Sequence, residues 1–213
     1  MTDPVAGGPS YDGTVSDIRS PALVDLLVAD RPEPDRDGRG PTEAELTAIL
    51  GAATTVPDHG GLRPWRFVVV RGEGRRRFGD ALVEGLVGER GPDLPEAVVA
   101  KMRGKAFAAP CQVVLVASPD AGSNVPVWEQ VASASCTGYA VVLAATARGL
   151  GAVWKSAAVL HTAPVRGLFD LGPDEHLLGW VNVGSPGVGR GSRGRVDDTP
   201  PVPVSWLGDA TEG

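Results

Sequence analysis

Pro57-Asp58-His59-Gly60-Gly61-Leu62-Arg63-Pro64-Trp65, running straight into Arg66-Phe67-Val68-Val69-Val70, is the stretch on which the fold turns. Two prolines and two adjacent glycines mark the first part as a loop. The aromatic and β-branched run after it reads as a strand, ended by Gly72. Upstream, Thr42-Glu43-Ala44-Glu45 is a capping box that opens a helix through Ala53. Leu46, Ile49, Leu50 and Ala53 in that helix recur at i, i+3, i+4 and i+7, which makes one buried face. The loop therefore joins an amphipathic helix to a strand.

Outward from that unit the chain continues to mix the two periods. Pro21 to Val28 spaces its apolar residues as a helix with proline in the first turn. Residues 1–18 are a polar, glycine-rich tail, and Arg31 to Pro41 is a loop. Arg77 to Val87 and Glu96 to Met102 read as helices. Val113-Val114-Leu115-Val116 is a strand buried on both faces. Trp128 to Arg148 is helical and apolar nearly all round, so it lies centrally or at a subunit interface. Gly149-Leu150-Gly151 ends it. A strand at Ala152-Val153-Trp154, a short helix around Val165 to Phe169 and a last strand from Leu177 to Val183 complete the order. Without strict βαβ alternation, the pattern predicts an α+β sandwich in a single domain over residues 19–213, with an extended C-terminal arm.

Composition narrows the function classes. The chain has 213 residues, 42% of them hydrophobic, and a net charge of −6, which fits one soluble domain and gives no reason to expect nucleic acid as a partner. Arg75-Arg76-Arg77 sits between Glu73 and Asp80 and reads as a solvated helix face. Two cysteines without Cys-x-x-Cys spacing and three scattered histidines indicate neither a disulfide framework nor a metal site. With no signal-peptide core and no spanning run, a cytoplasmic location away from membranes is expected. Gly187-Val188-Gly189-Arg190-Gly191 stands evenly between a phosphate-cradling loop and a plain connection, but it is no P-loop. No Gly-x-Ser-x-Gly elbow exists.

Several segments in order resemble the nitroreductase family, in particular its compact YdjA-like branch. They are Ala53 to His59 with Arg63-Pro64-Trp65-Arg66-Phe67; Gly72-Glu73-Gly74-Arg75; Ala109-Pro110 with Val125 to Gln130; Gly149 to Ser156; and Gly179 to Pro186. Together they span roughly residues 23 to 206. The resemblance implies a central mixed, mostly antiparallel sheet flanked by helices, in an intertwined homodimer with FMN in interface pockets. It further implies hydride transfer from NAD(P)H through the flavin to a small nitroaromatic or quinone-like acceptor, in ping-pong order, with no side-chain acid or base. A flavin-sequestering protein and a flavin oxidase or dehydrogenase of secondary metabolism are the alternatives.

By the same resemblance, Trp154, Lys155 and Ser156 pass the isoalloxazine edge and offer backbone N–H groups to N5 and O4. Trp154 also has a reading as plain core. Thr55 and His59 match flavin-loop positions supplied across the dimer, although His59 also reads as an ordinary loop residue. Where the family carries Arg-Arg-Ser or Arg-x-Ser for the flavin phosphate, this chain has Asp30-Arg31-Pro32. One arginine remains, an acid replaces the other, and proline lacks even an N–H. Arg36, Arg39, Arg190, Arg193 and Arg195 are candidate substitutes, because forked guanidinium donors suit phosphate, and the sequence leaves open which of them reaches it.

Overall fold

In the computed structural model, residues 25–27, 31–188, 203, 205 and 207 are described. The tail over 1–18, Asp30, Arg190, Arg193, Arg195 and most of the C-terminal arm lie outside the described residues. Of the helix predicted from Pro21, residues 25–27 are helical.

Five helices and four strands follow: α1 (Glu43–Ala53), β1 (Trp65–Arg71), α2 (Glu73–Arg90), α3 (Glu96–Gly104), β2 (Cys111–Ala117), α4 (Val127–Thr146), β3 (Gly151–Lys155), α5 (Ala163–Leu168) and β4 (His176–Gly184). Short 3₁₀ turns sit at His59–Gly61, Lys105–Phe107 and Ala158–His161. The start of α1 forms as its sequence dictates. The Glu45 N–H donates to the Thr42 hydroxyl at 3.2 Å, and the Thr42 N–H donates to the Glu45 carboxylate at 2.8 Å. Arg39 grips the same carboxylate at 2.9 and 3.0 Å, and this guanidinium with the Thr42 N–H holds the acid at about 2.

The strands lie in the order β1-β2-β4-β3, and every pairing is antiparallel. The parallel component expected of a mixed sheet is not seen among the described residues. β2 is buried at every position, as its continuous apolar run predicted. Its period of two separates the core into two layers. Cys111, Val113 and Leu115 face Leu46, Ile49 and Ala53 of α1 and Val141, Val142 and Ala145 of α4. Val114 and Val116 face Phe78, Leu82 and Leu86 of α2, with Val159, Val165 and Trp180. Phe78 meets Phe169 and Trp180 edge-on, with ring centroids at 5.3 and 5.1 Å. The sheet is thus sandwiched between α1/α4 and α2/α3/α5.

α4 buries one face and leaves apolar side chains on the other. Trp128 is 71% exposed and Tyr139 41%, with Ala132 and Cys136 also exposed between them. The expected solvated face over Arg75-Arg76-Arg77 needs one correction. Arg76 does pair with Glu73 and Asp80, but Arg75 turns inward, donates to the Ala109 carbonyl at 3.0 Å and stacks over Phe107. Its alkyl stem can lie along apolar surface while the guanidinium keeps this hydrogen bond.

Candidate functional site

β3 is an edge strand, and Arg31, Pro32, Trp154 and Lys155, among the residues singled out by sequence, gather beside it. In an antiparallel ladder, successive residues point their N–H and C=O groups to opposite sides. The Ala152 N–H donates away from β4, to the Pro32 carbonyl at 3.2 Å. By the two-residue alternation Trp154 faces the same way, while Lys155 faces Trp180 of β4. The Trp154 N–H therefore projects from the open edge, with no acceptor among the described residues.

Its side chain plays a different part. The indole Nε1 donates to the Leu178 carbonyl at 3.2 Å. A Cβ added at Gly138 of α4 would lie 2.8 Å from the six-membered ring, and one at Gly179 of β4 would lie 2.7 Å from Nε1. Gly179 also has φ +122°, a conformation that side chains rarely adopt. The ring of Trp154 thus packs against the core, while its backbone N–H is left on the open edge.

Segment 31–35 runs along the start of the same edge. Beyond the Pro32 contact, Glu33 pairs with Lys155 at 2.9 Å, Pro34 bridges Pro186, and the Gly187 N–H donates to the Glu33 carbonyl at 2.9 Å. Gly151 lets the segment close in, since a Cβ there would lie 2.8 Å from the Pro34 backbone. Arg31 is 7% exposed. It donates to the Leu27 carbonyl at 2.8 Å and to the Tyr139 hydroxyl at 3.1 Å, and it lies over the Tyr139 ring at 5.3 Å. Arg36 is exposed beside a recess of about 420 Å³ that Glu33, Asp35, Gly187 and Val188 also line.

The Pro57-to-Trp65 loop stands apart from this edge. Gly60 and Gly61 have φ of +76° and +66°, and space is open around Gly61. Pro64 is buried and its carbonyl accepts from the Ser118 N–H at 2.9 Å, which fastens the strand start. The exposed Thr55 hydroxyl donates to the Ala52 carbonyl at the end of α1. His59 Nδ1 lies 2.8 Å from the Glu129 carboxylate in the first turn of α4. Among the described residues, no hydrogen bond joins Thr55 or His59 to Trp154, Lys155 or Ser156. The structure thus brings Arg31, Pro32, Trp154 and Lys155 together within one chain, whereas the side chains of Thr55 and His59 bond to Ala52 and Glu129.

Sequence reasoning missed Glu129, Tyr139, Lys105, Gly138 and Gly179 as partners of these residues. A glycine inside a helical run and another inside a strand were the available signals for the last two. Lys105 Nζ reaches the Ser156 carbonyl at 3.4 Å. Among the described residues no group of three or more histidine, cysteine or acidic side chains is placed to hold a metal, and no helix is long and apolar enough to cross a membrane.

Residues 37–185 match the sequence model of the Nitroreductase family. The chain is 34% identical over 161 residues to the putative NAD(P)H nitroreductase YdjA of Escherichia coli K12, covering 76% of this chain and 86% of that protein. A putative NAD(P)H nitroreductase of Haemophilus influenzae is 34% identical over 161 residues, or 75% and 85% of the two chains. Among solved structures, a nitroreductase-like family protein from Bacillus cereus superposes with a TM-score of 0.64 at 19% identity, over 97% and 100% of the chains. The FMN-dependent nitroreductase NfnB from Mycobacterium smegmatis, solved with NADPH, gives 0.61 at 18% identity over 78% and 87%.

Proposed function

The chain belongs to the nitroreductase family, and we propose that it is an FMN-dependent oxidoreductase passing hydride from NAD(P)H to a small organic acceptor in ping-pong order. The outward N–H of Trp154 on the open edge of β3, without an acceptor among the described residues, carries this reading. It fits a flat heterocycle that needs a donor at its electron-accepting edge. When bound, the flavin supplies the ring that takes up and gives back hydride.

The protein's own part is placement and electrostatics. The clamped indole of Trp154 fixes the strand, so the N–H is aimed before any ligand arrives. A fixed dipole directed at developing negative charge costs no reorganisation at the moment of transfer. Ser156 follows along that edge, and Arg31 and the Lys155–Glu33 ion pair lie beside it. Thr55 and His59 would reach a cofactor from a second protomer. The exposed apolar side of α4, from Trp128 through Ala132 and Cys136 to Tyr139, is the surface through which two copies pair.

Purified protein tests this directly. It should be yellow, or should bind added FMN with one equivalent per chain, and anaerobic NADH or NADPH should bleach the flavin. Protein that neither carries nor binds FMN refutes the proposal. Bound flavin that neither nucleotide bleaches would make this a flavin-sequestering protein instead.

A further inference from the structure

The groove between α2 and α3, on the side of the sheet away from α4, has a composition that the redox reading does not use. Leu86 and Arg90 of α2 face Ala97, Val98, Lys101 and Met102 of α3 and Lys105 just after it, around a cavity of about 540 Å³. That volume is in the range of small-molecule sites. Its floor is aliphatic: Leu86 belongs to the core, and Val98 and Met102 pack against it. Its rim is cationic. Among the described residues, Arg90, Lys101 and Lys105 have no carboxylate partner, and the single polar contact among them is that of Lys105 with the Ser156 carbonyl.

Two features make this arrangement unlike an ordinary solvated surface. Lys101, in the last turn of α3, and Lys105, at its C-cap, are four residues apart and line the same cavity. Three positive groups also gather here on a chain of net charge −6. A second copy of the chain is a poor occupant, because a two-fold contact would set the cations against themselves.

We propose that the α2–α3 groove is a binding site for an amphipathic monocarboxylate, an acyl chain on the Leu86–Val98–Met102 floor with its carboxylate among Arg90, Lys101 and Lys105. Among the described residues the lining holds no aromatic side chain, which favours a flexible aliphatic body, and Met102 adapts to its shape. The carboxylate draws on charge-assisted bonds from the two lysines, so binding weakens as salt is added.

Isothermal titration of the purified full chain with octanoate, octan-1-ol and octylammonium tests the site without recourse to activity. Octanoate should saturate one site per chain, octan-1-ol should bind about tenfold weaker or less, and octylammonium should not bind. Lys101→Glu should weaken octanoate by a similar factor with an unchanged circular dichroism spectrum. Val98→Trp, which fills the groove, should abolish binding of both octanoate and octan-1-ol. Equal affinity for octanoate and octan-1-ol, no saturation by octanoate, or wild-type affinity in Lys101→Glu would each overturn the proposal. Because the readout is binding of a fatty carboxylate, its failure leaves the flavin reading standing, and the converse holds too.

Discussion

Gly138→Ala sets a local preference directly against tertiary packing. In the interior of an isolated helix the change stabilises by up to about 1 kcal/mol, because glycine loses more backbone freedom than alanine. At position 138 the new methyl would lie 2.5 Å from Leu115 Cδ1 and 2.8 Å from Trp154 Cη2 and Cζ3. Apolar carbons rest about 3.5–4.0 Å apart, so the neighbours must give way by roughly an ångström. Neither has room. Leu115 is 1% exposed in the middle of the sheet, and the indole is held by Leu178 on one edge and by Gly179 beneath. Overpacking of this kind costs about 1–3 kcal/mol. Gly88 near the end of α2, where an added Cβ meets nothing within 4 Å, supplies the matched control and should gain about 0.5 kcal/mol as alanine. Urea unfolding followed by circular dichroism, at one protein concentration so that any self-association weighs equally on both variants, should place Gly138→Ala about 1–3 kcal/mol below Gly88→Ala. Displacing Trp154 also tilts the N–H of the open edge, so FMN affinity should fall in Gly138→Ala and hold in Gly88→Ala. If the two variants unfold within about 0.5 kcal/mol of each other, the clamp on Trp154 is not rigid and the reasoning fails.

Other expectations test separate parts of the molecule. Arg66, aided by Ser118 and the Gly172 N–H, holds the Glu175 carboxyl at about 2 against its ordinary 4.5. A depressed acid stabilises the fold above its unfolded value and loses that contribution as pH falls, here between about 4.5 and 2, with roughly 2–3 kcal/mol at stake. Glu175→Gln should therefore be the less stable protein at pH 7 and lose less of its stability on going to pH 2; parallel acid-unfolding curves would contradict this, since Glu45 titrates over the same range in both proteins. The buried Cys111 thiol is pushed up to about 11 by burial, whereas Cys136 is exposed on α4. If α4 forms the dimer contact, a disulfide reagent should modify neither thiol quickly at micromolar protein, and prompt labelling of Cys136 would exclude that contact. Glu129→Gln removes the charged partner of His59; thermal unfolding should shift by less than about 1 kcal/mol, as for exposed ion pairs, while FMN affinity should drop. Unchanged affinity would detach His59 from the cofactor.

The sequence discloses what repeats along the chain and conceals what meets across it. The capping box of α1, the two-faced burial of β2 and the apolar circumference of α4 are each written in neighbouring residues, and each element starts and stops within a few positions of its reading. His59 with Glu129, separated by 70 residues, and Arg66 with Glu175, separated by 109, carry no comparable periodic signal. The Asp30-Arg31-Pro32 departure is the instructive case. As a phosphate grip it looks damaged, one cation short and missing a donor. In the fold, the described part of it is a brace: proline keeps the carbonyl that Ala152 needs, and the missing N–H is of no consequence to that contact. Arg31 spans from the Leu27 carbonyl to Tyr139 of α4, tying the N-terminal segment to the helix through which the protomers would pair. Tyr139→Phe, which keeps the ring and removes the hydroxyl, therefore separates the two roles of Arg31. Lost FMN affinity with intact stability assigns the arginine to the phosphate; lost stability with intact affinity leaves it a brace alone.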